Sequence, residues 1–220
     1  MFSKRLNTIA KLIDNEYPLA DIGSDHGQLI EILINNGFNN DILGVENKEG
    51  PFSNLSKNIS KLNNPNIKVS FSNGLCDVSD YYKTIVIAGM GFETIKNIIN
   101  DSIKKLDSIE TFIIDCHTNF EQVRPFFCNL GYYIENEISL NEKNIYYDII
   151  KFKKGHKEYS NLELKYGPIN LVNKPDAFVQ NIKQQIFSIE ELLKKQTSKE
   201  KLSQLLFKLN ELKGLIDHEN

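Results

Sequence analysis

Leu19-Ala-Asp-Ile-Gly-Ser-Asp-His-Gly-Gln-Leu29 is the stretch whose reading decides the fold. An apolar approach from Tyr17 reaches an acidic residue, Asp21. A glycine turn follows at Gly23, and a helix-like run opens with Gln28-Leu-Ile-Glu-Ile-Leu-Ile34. Strand, acid, glycine turn and helix are what an α/β sheet presents to a nucleotide-like ligand at the carboxyl end of its first strand. About twenty residues further on, Ile42-Leu-Gly-Val-Glu46 reads as a second strand ending in a carboxylate, the spacing of an acid that grips ribose hydroxyls. The chain is therefore expected to bind an adenosine-bearing cofactor.

Two cofactor classes compete for this loop. A nicotinamide or flavin site needs G-x-G-x-x-G, so that backbone can touch a pyrophosphate. The loop offers only Gly23 and Gly27, as G-x-x-x-G, and brings Asp21, Asp25 and Glu46 towards the ligand. Three carboxylates repel a pyrophosphate but suit a sulfonium that carries an amino group and a ribose. Charge therefore favours S-adenosylmethionine over NAD, with Asp21 at the donor's amino group, Gly23 and Ser24 at its backbone approach and Glu46 at the ribose. Taken alone, the loop also fits an ordinary strand-to-helix turn with capping acids.

The chain has 220 residues, 40% of them hydrophobic and 25% charged, and a net charge of −3. These are ordinary globular values, enough for one α/β domain and a smaller appendage. No apolar run approaches the roughly 18 residues that cross a bilayer, and Met1-Phe-Ser-Lys-Arg5 lacks a signal-peptide core. Cys76, Cys116 and Cys128 are odd in number and widely spaced, which fits a reducing cytoplasm with neither a disulfide frame nor a zinc site. The four histidines show no metal spacing either, so no metal is expected. Nearly all basic residues are lysines, Arg5 and Arg124 being the only arginines. This reads as a compositional bias with no chemical meaning. Lys151, Lys153, Lys154, His156 and Lys157 read as a solvated linker.

Strand-like and helix-like runs alternate along the chain. Residues 2–14 form an amphipathic helix pattern. Strands at 19–22, 42–46, 67–71, 84–88 and 112–115 alternate with helices at 25–35, 50–62, 92–106 and 120–130. Alternation of this kind predicts a parallel sheet covered on both faces. Two final strands, 132–139 and 145–152, flank Asn141-Glu-Lys143 and predict an antiparallel edge hairpin. The fold class is therefore α/β: a Rossmann-like seven-stranded sheet of the class I methyltransferase layout. This domain is placed at 1–155, and 156–220 is read as a connector and a C-terminal antiparallel helical hairpin. In the hairpin, Pro175 opens a helix with Phe178, Ile182, Ile186, Ile189 and Leu193 on one face. A capping box at Thr197-Ser-Lys-Glu200 opens its partner, with Leu202, Leu205, Leu206, Leu209 and Leu212 on one face. Structural packing and a substrate-gripping arm lined by Lys183, Lys194, Lys195, Lys199, Lys201 and Lys208, with Lys194, Lys195, Lys199 and Lys201 as the expected tRNA contacts, both fit this hairpin.

Ile85-Val-Ile-Ala-Gly-Met-Gly-Phe-Glu93 ends a strand in small residues, which lets a flat ligand lie against backbone. In a doubly wound sheet this strand borders the first across the topological switch point, so Ala88, Gly89 and Met90 are expected to face the Asp21–Asp25 loop. Methyl donor and acceptor would meet there.

On these residues the chain resembles the bacterial TrmK-type tRNA adenine-N1 methyltransferases. The resemblance is carried by Asp21-Ile-Gly-Ser-Asp-His26, Gly44-Val-Glu46 with Gly50-Pro51, Gly74-Leu75, Ile87-Ala-Gly-Met-Gly91, Glu142 with Tyr146-Tyr147, and Gly167-Pro168, and it covers essentially the whole chain. It implies methyl transfer from S-adenosylmethionine to N1 of adenine 22 in tRNA. It adds Asn73, Gly74 and Leu75 to the cofactor site. Three departures stand out: Asn73 where the family has Asp, Phe92 where it tends to Gly, and Asp115-Cys-His-Thr-Asn119 where it has Gln-Pro-Asn. In that last segment His117 either stands in for the amide or is a plain loop histidine, and the plain reading is adopted.

Adenine N1 attacks the sulfonium methyl and the ring gains positive charge, so a carboxylate beside N6 would stabilise it. Asp25 is the candidate. His26 either orients Asp25 or contacts the base, or makes a purely local hydrogen bond. A base within folded tRNA must be exposed first. The protein is expected to act as a monomer. A small-molecule methyltransferase, a NAD-binding oxidoreductase and a ligand sensor remain the alternatives.

Overall fold

A computed structural model of the protein describes residues 2–195 and 198–216. Helix α1 (Lys4–Leu12) precedes β1 (Leu19–Ile22), α2 (Gln28–Asn35), β2 (Ile42–Glu46), α3 (Glu49–Leu62) and β3 (Ile67–Phe71). Then come β4 (Thr84–Met90), α4 (Phe92–Asn100), β5 (Thr111–Cys116), α5 (Val123–Asn129), β6 (Tyr132–Glu142) and β7 (Ile145–Lys154). The seven strands form one sheet in the order β3-β2-β1-β4-β5-β7-β6. The first five are parallel, and β7 runs antiparallel between β5 and β6. The order reverses between β1 and β4, so a crevice opens there beyond the carboxyl ends of the strands.

Each face of the sheet carries its own core. Ile9, Ile30 and Leu55 from α1, α2 and α3 pack on one face. Ile95, Ile99 and Phe127 from α4 and α5 pack on the other. Helices on both faces leave the central strands no solvated side, which is why β1 and β2 are buried along their whole length.

Local chemistry explains where the elements depart from the expected bounds. The helix expected from residue 25 starts at Gln28, because Asp25 and Gly27 hold φ of 47° and 72°. Left-handed residues cannot continue a right-handed helix. The helix expected over 92–106 stops at Asn100, and a 3-10 turn follows at Ile103–Asp107. Asp101 and Ser102 between them are residues whose side chains compete for the backbone. The turn of the β6–β7 hairpin is Lys143-Asn144, both at positive φ, as a two-residue primed turn requires.

The connector is more structured than expected. It forms α6 (Asn161–Tyr166) and α7 (Pro168–Asn173), hinged at Gly167 with φ of 93°. A buried ionic network fastens it to the sheet. Arg124, fully buried on α5, binds Glu137 of β6 and Asp148 of β7. Glu137 accepts the backbone N–H groups of Ile169 and Asn170 at 2.8 and 2.9 Å, and the Asn170 amide donates to Asp148. Burial disfavours the Arg124 charge, but Asp148 and Glu137 outweigh it and hold the guanidinium firmly protonated. A lone buried charge would cost several kcal/mol, so the triad stands or falls together.

Helices α8 (Asp176–Leu193) and α9 (Lys199–Ile216) form the expected antiparallel hairpin. They enclose a third core of Phe178, Ile182, Ile189, Leu209, Leu212 and Leu215. Leu206, expected inside, is 48% exposed, and Leu215 takes the inner face instead. The stripe on α9 is therefore shifted along the helix from the one expected. Thr197, the expected start of the capping box, lies outside the described residues.

The lysines expected to form a solvated linker are partly consumed. Lys151 is buried and pairs with Asp14 and Glu135, and Lys153 pairs with Glu16 and Glu135. Both belong to β7, whose pairing with β5 carries it past the expected end at Phe152.

Candidate functional site

The loop after β1 is held in place by hydrogen bonds to the end of the neighbouring β2. Gly23 N and Ser24 N both donate to the carbonyl of Val45 on β2, at 2.9 and 3.0 Å. Ser24 Oγ then donates to Asp21 at 2.6 Å. Glu46, at the end of β2, is buried and accepts from Asn47 N and Lys48 N on Oε1 and from Asp25 N on Oε2. A carboxylate offers about four acceptor positions, so Glu46 keeps an acceptor position on Oε2 beyond these three bonds.

Strand β4 supplies the opposite wall. Its pairing with β5 slips between Ala88 and Met90, and Gly89 at the slip has φ of 80°. A bulge at a strand end re-aims the backbone. Here it opens space at Gly89, where Arg5 Nη1 lies 3.7 Å from the position a Cβ would take. His117 N donates to Met90 O at 3.0 Å and so fixes the end of β5 beside this tip.

Two cavities flank the tips of β1 and β4. The first, about 400 Å³, is lined by Gly23, Asp25, Glu46, Asn47, Asn73, Gly74, Met90 and Ile98, among others. The second, about 310 Å³, is lined by Arg5, Asp21, Ser24, His26 and His117, among others. Gly23, Asp25, Ala88 and Gly89 belong to both. This shared wall has little side-chain bulk, so ligands on its two sides can come into contact.

The expected site residues divide between the two cavities. Gly23, Asp25, Glu46, Asn73, Gly74, Ala88, Gly89 and Met90 border the first. Asn73 Oδ1 accepts from Asn47 at 3.0 Å. Asp21, Ser24 and His26 border the second. Asp21 is the third residue of β1, and its carboxyl accepts from Ser24 Oγ. Leu75 lines neither cavity, because its side chain is buried in the core among α4 and β4. His26 Nε2 lies 3.6 Å from Asp25 Oδ1, and the Asp25 side chain is 61% exposed.

The charge balance is unusual for a buried loop. Burial pushes the Asp21 carboxyl up to about 6, and the nearby Glu46 pushes in the same direction, against the Ser24 hydrogen bond. Two buried acids and one exposed acid around a glycine turn favour a cationic, hydroxyl-bearing ligand and oppose a pyrophosphate. Among the described residues, no group of three or more His, Cys, Asp and Glu side chains is arranged to hold a metal ion. Also among them, no helix is long and apolar enough to cross a membrane.

Sequence reasoning passed over one part of the second cavity. Arg5 on α1 binds Asp115, which is fully buried at the end of β5. Glu142 accepts the backbone N–H groups of Lys4 and Arg5 and so fixes the start of α1 here. Both arginines of a lysine-rich chain therefore sit on buried carboxylates, where a planar guanidinium is hard to replace. That scarcity of arginine was the available signal. The four arm lysines are remote from this region. Gln180 of α8 bonds Asn141 of β6, and Lys194 follows 14 residues later, about 20 Å along a helix. Lys194 is also paired with Glu191.

Comparison with known proteins gives consistent results. The family described as "Methyltransferase domain" matches residues 2–150. The tRNA (adenine(22)-N(1))-methyltransferase of Bacillus subtilis (strain 168) is 27% identical over 231 residues, covering 98% of this chain and 97% of that protein. The putative tRNA methyltransferase MG248 of Mycoplasma genitalium is 32% identical over 162 residues, covering 71% and 72%. The crystal structure of Streptococcus pneumoniae Sp1610, a putative tRNA (m1A22) methyltransferase, has a TM-score of 0.93 at 27% identity, covering 98% of this chain and 100% of that one. Its complex with S-adenosyl-L-methionine has a TM-score of 0.89.

Proposed function

The chain belongs to the methyltransferase-domain family, in its TrmK branch, and from that premise we propose that it methylates N1 of adenine 22 in tRNA with S-adenosylmethionine. The observation that supports this reading most directly is the wall of Gly23, Asp25, Ala88 and Gly89 shared by two cavities. A donor in one and a flipped base in the other meet there with little side chain between them.

The residues present fit the cofactor. A Cβ on Gly23 would overlap Met90 Cε, and one on Gly74 would crowd Ile98 at 3.0 Å, so both glycines let these side chains pack close where they line the first cavity. Glu46 has acceptor capacity for ribose hydroxyls, and Asn73 at the far wall can face the adenine edge. When bound, S-adenosylmethionine supplies the methyl group as an electrophile to adenine N1. Asp25, exposed on the shared wall, is placed to stabilise the positive charge that the base acquires. Asp21 holds negative charge on the opposite side of Gly23. His26, beside Asp25, can orient it.

The reading places the enzyme in the cytoplasm and takes it to be a monomer that binds tRNA through the lysine-rich arm. Cys76, Cys116 and Cys128 are unpaired, in keeping with a reducing compartment. Incubation with total tRNA and labelled donor, followed by mapping of the modified nucleoside, tests the proposal. Label at N1-methyladenosine in position 22 is expected, and label confined to small molecules or to another nucleoside would refute it.

A further inference from the structure

We propose that His117, oriented by the buried carboxylate of Asp115, recognises the exocyclic amino group of the acceptor base in the second cavity; this rests on the functional reading above. In that reading Asp25, the candidate carboxylate beside N6, answers the charge on the base but is 61% exposed, and the second cavity holds two imidazoles that could read the base's edge. His26 is half exposed and faces Asp25, which is itself 61% exposed, so neither ring nor partner is held. His117 is held on three sides. Its backbone N–H is tied to Met90 O at 3.0 Å, its ring meets Tyr147 edge-on at 5.6 Å between centroids, and its Nε2 lies 3.5 Å from Asp115 Oδ2.

Asp115 is the fixed point. Its side chain is fully buried, Oδ2 also takes Arg5, and Oδ1 is buried with no protein partner. A carboxylate beside a neutral imidazole draws the single N–H to the nearer nitrogen. Nε2 then carries the proton, and Nδ1 keeps its lone pair as an acceptor. Adenine presents an amino donor at its six-position, and guanine presents a carbonyl acceptor there. An acceptor at this wall matches the first and opposes the second. Arg5 also faces the cavity as a donor, but its Nη1 is engaged by Asp115, which offsets its charge next to a base that becomes cationic. In this account His117 is a specificity residue that touches the substrate, and Asp115 is a positioning residue that acts through it.

The test pairs a change in the enzyme with a change in the base. Full-length enzyme and His117→Ala are each assayed on tRNA carrying, at the target position, adenine or plain purine, which lacks only the amino group. In the wild type, loss of the amino group should lower kcat/KM at least fivefold more than in the variant, the scale of one hydrogen bond. His117→Asn, whose side-chain oxygen can replace Nδ1, should recover part of that difference. Equal losses in wild type and His117→Ala, with S-adenosylhomocysteine affinity unchanged, would overturn the proposal. Should His117→Ala lose S-adenosylhomocysteine binding, His117→Phe keeps the ring contact without the acceptor and takes its place. A wild type that methylates no tRNA would sink the functional reading and this inference together. One that methylates adenine with no coupling to His117 sinks only the inference.

Discussion

Gly23, just after β1, lies so close to Met90 at the tip of the neighbouring β4 that a Cβ added to Gly23 would overlap the methyl end of Met90. The β1 loop and the β4 tip thus approach as closely as they do only because one of them has no side chain. Gly23→Ala should therefore act twice. At φ of 76° any side chain is strained by about 1 kcal/mol or more. Met90 must also swing away, and it lines the first cavity, proposed for the cofactor. Met is flexible, so the fold should survive, while S-adenosylmethionine affinity falls at least tenfold by calorimetry. Unchanged affinity in a folded variant would mean that the cofactor does not use this cradle.

Asp21 gives a pH dependence with a definite sign. Its carboxyl rises from 3.8 to about 6 on folding, chiefly through burial. The native state therefore holds this proton more tightly than the unfolded chain. The stability it confers is complete below pH 3.8 and is lost as pH climbs towards 6. Keeping Asp21 ionised at neutral pH costs the fold about 3 kcal/mol. Asp21→Asn should raise Tm at pH 7 by several degrees. Affinity for the cationic donor should rise between pH 5 and 7 in the wild type, as Asp21 ionises, and this rise should shrink in the variant. Identical pH profiles would show that Asp21 does not meet the donor's charge.

Asp25→Asn isolates charge from shape. Asn tolerates the left-handed backbone that Asp25 adopts, so the loop should keep its course. Donor affinity should hold while single-turnover methylation slows at least tenfold, about 1.4 kcal/mol of barrier. Matching rates would show that another group stabilises the cationic base.

The arm lysines are tested through salt. Replacing Lys194, Lys195, Lys199 and Lys201 with Gln should weaken tRNA binding and flatten its dependence on ionic strength, since fewer counterions are released. Lys194 must leave Glu191 to reach a phosphate, so its share should be the smallest. Deleting the whole arm from residue 175 is a blunter test, because Glu211 on α9 binds Lys165 and Tyr166 of the connector. An unchanged salt slope would make the arm structural. Lys151 and Lys153 would then be poor substitutes, since both are already paired with acids.

The sequence by itself determined what depends on neighbours along the chain. Periodicity separated strands from helices, and Asp21-Ile-Gly23 announced the first strand and its turn. The spacing to Glu46 brought a second acid to the same edge, and Lys143-Asn144 closed a hairpin where a polar turn was expected. Tertiary structure decided what depends on residues far apart. Asp21 and Asp25 lie four positions from each other, yet only packing shows that Asp21 turns away onto Ser24 while Asp25 stands on the wall between the cavities. Leu75 sits beside Gly74 in sequence but is buried in the core. Arg5 meets Asp115 across 110 positions, and Asn170 meets Glu137 across 33. No periodic pattern encodes such pairs. They form because a buried carboxylate needs a partner, and the fold alone determines which donor is within reach.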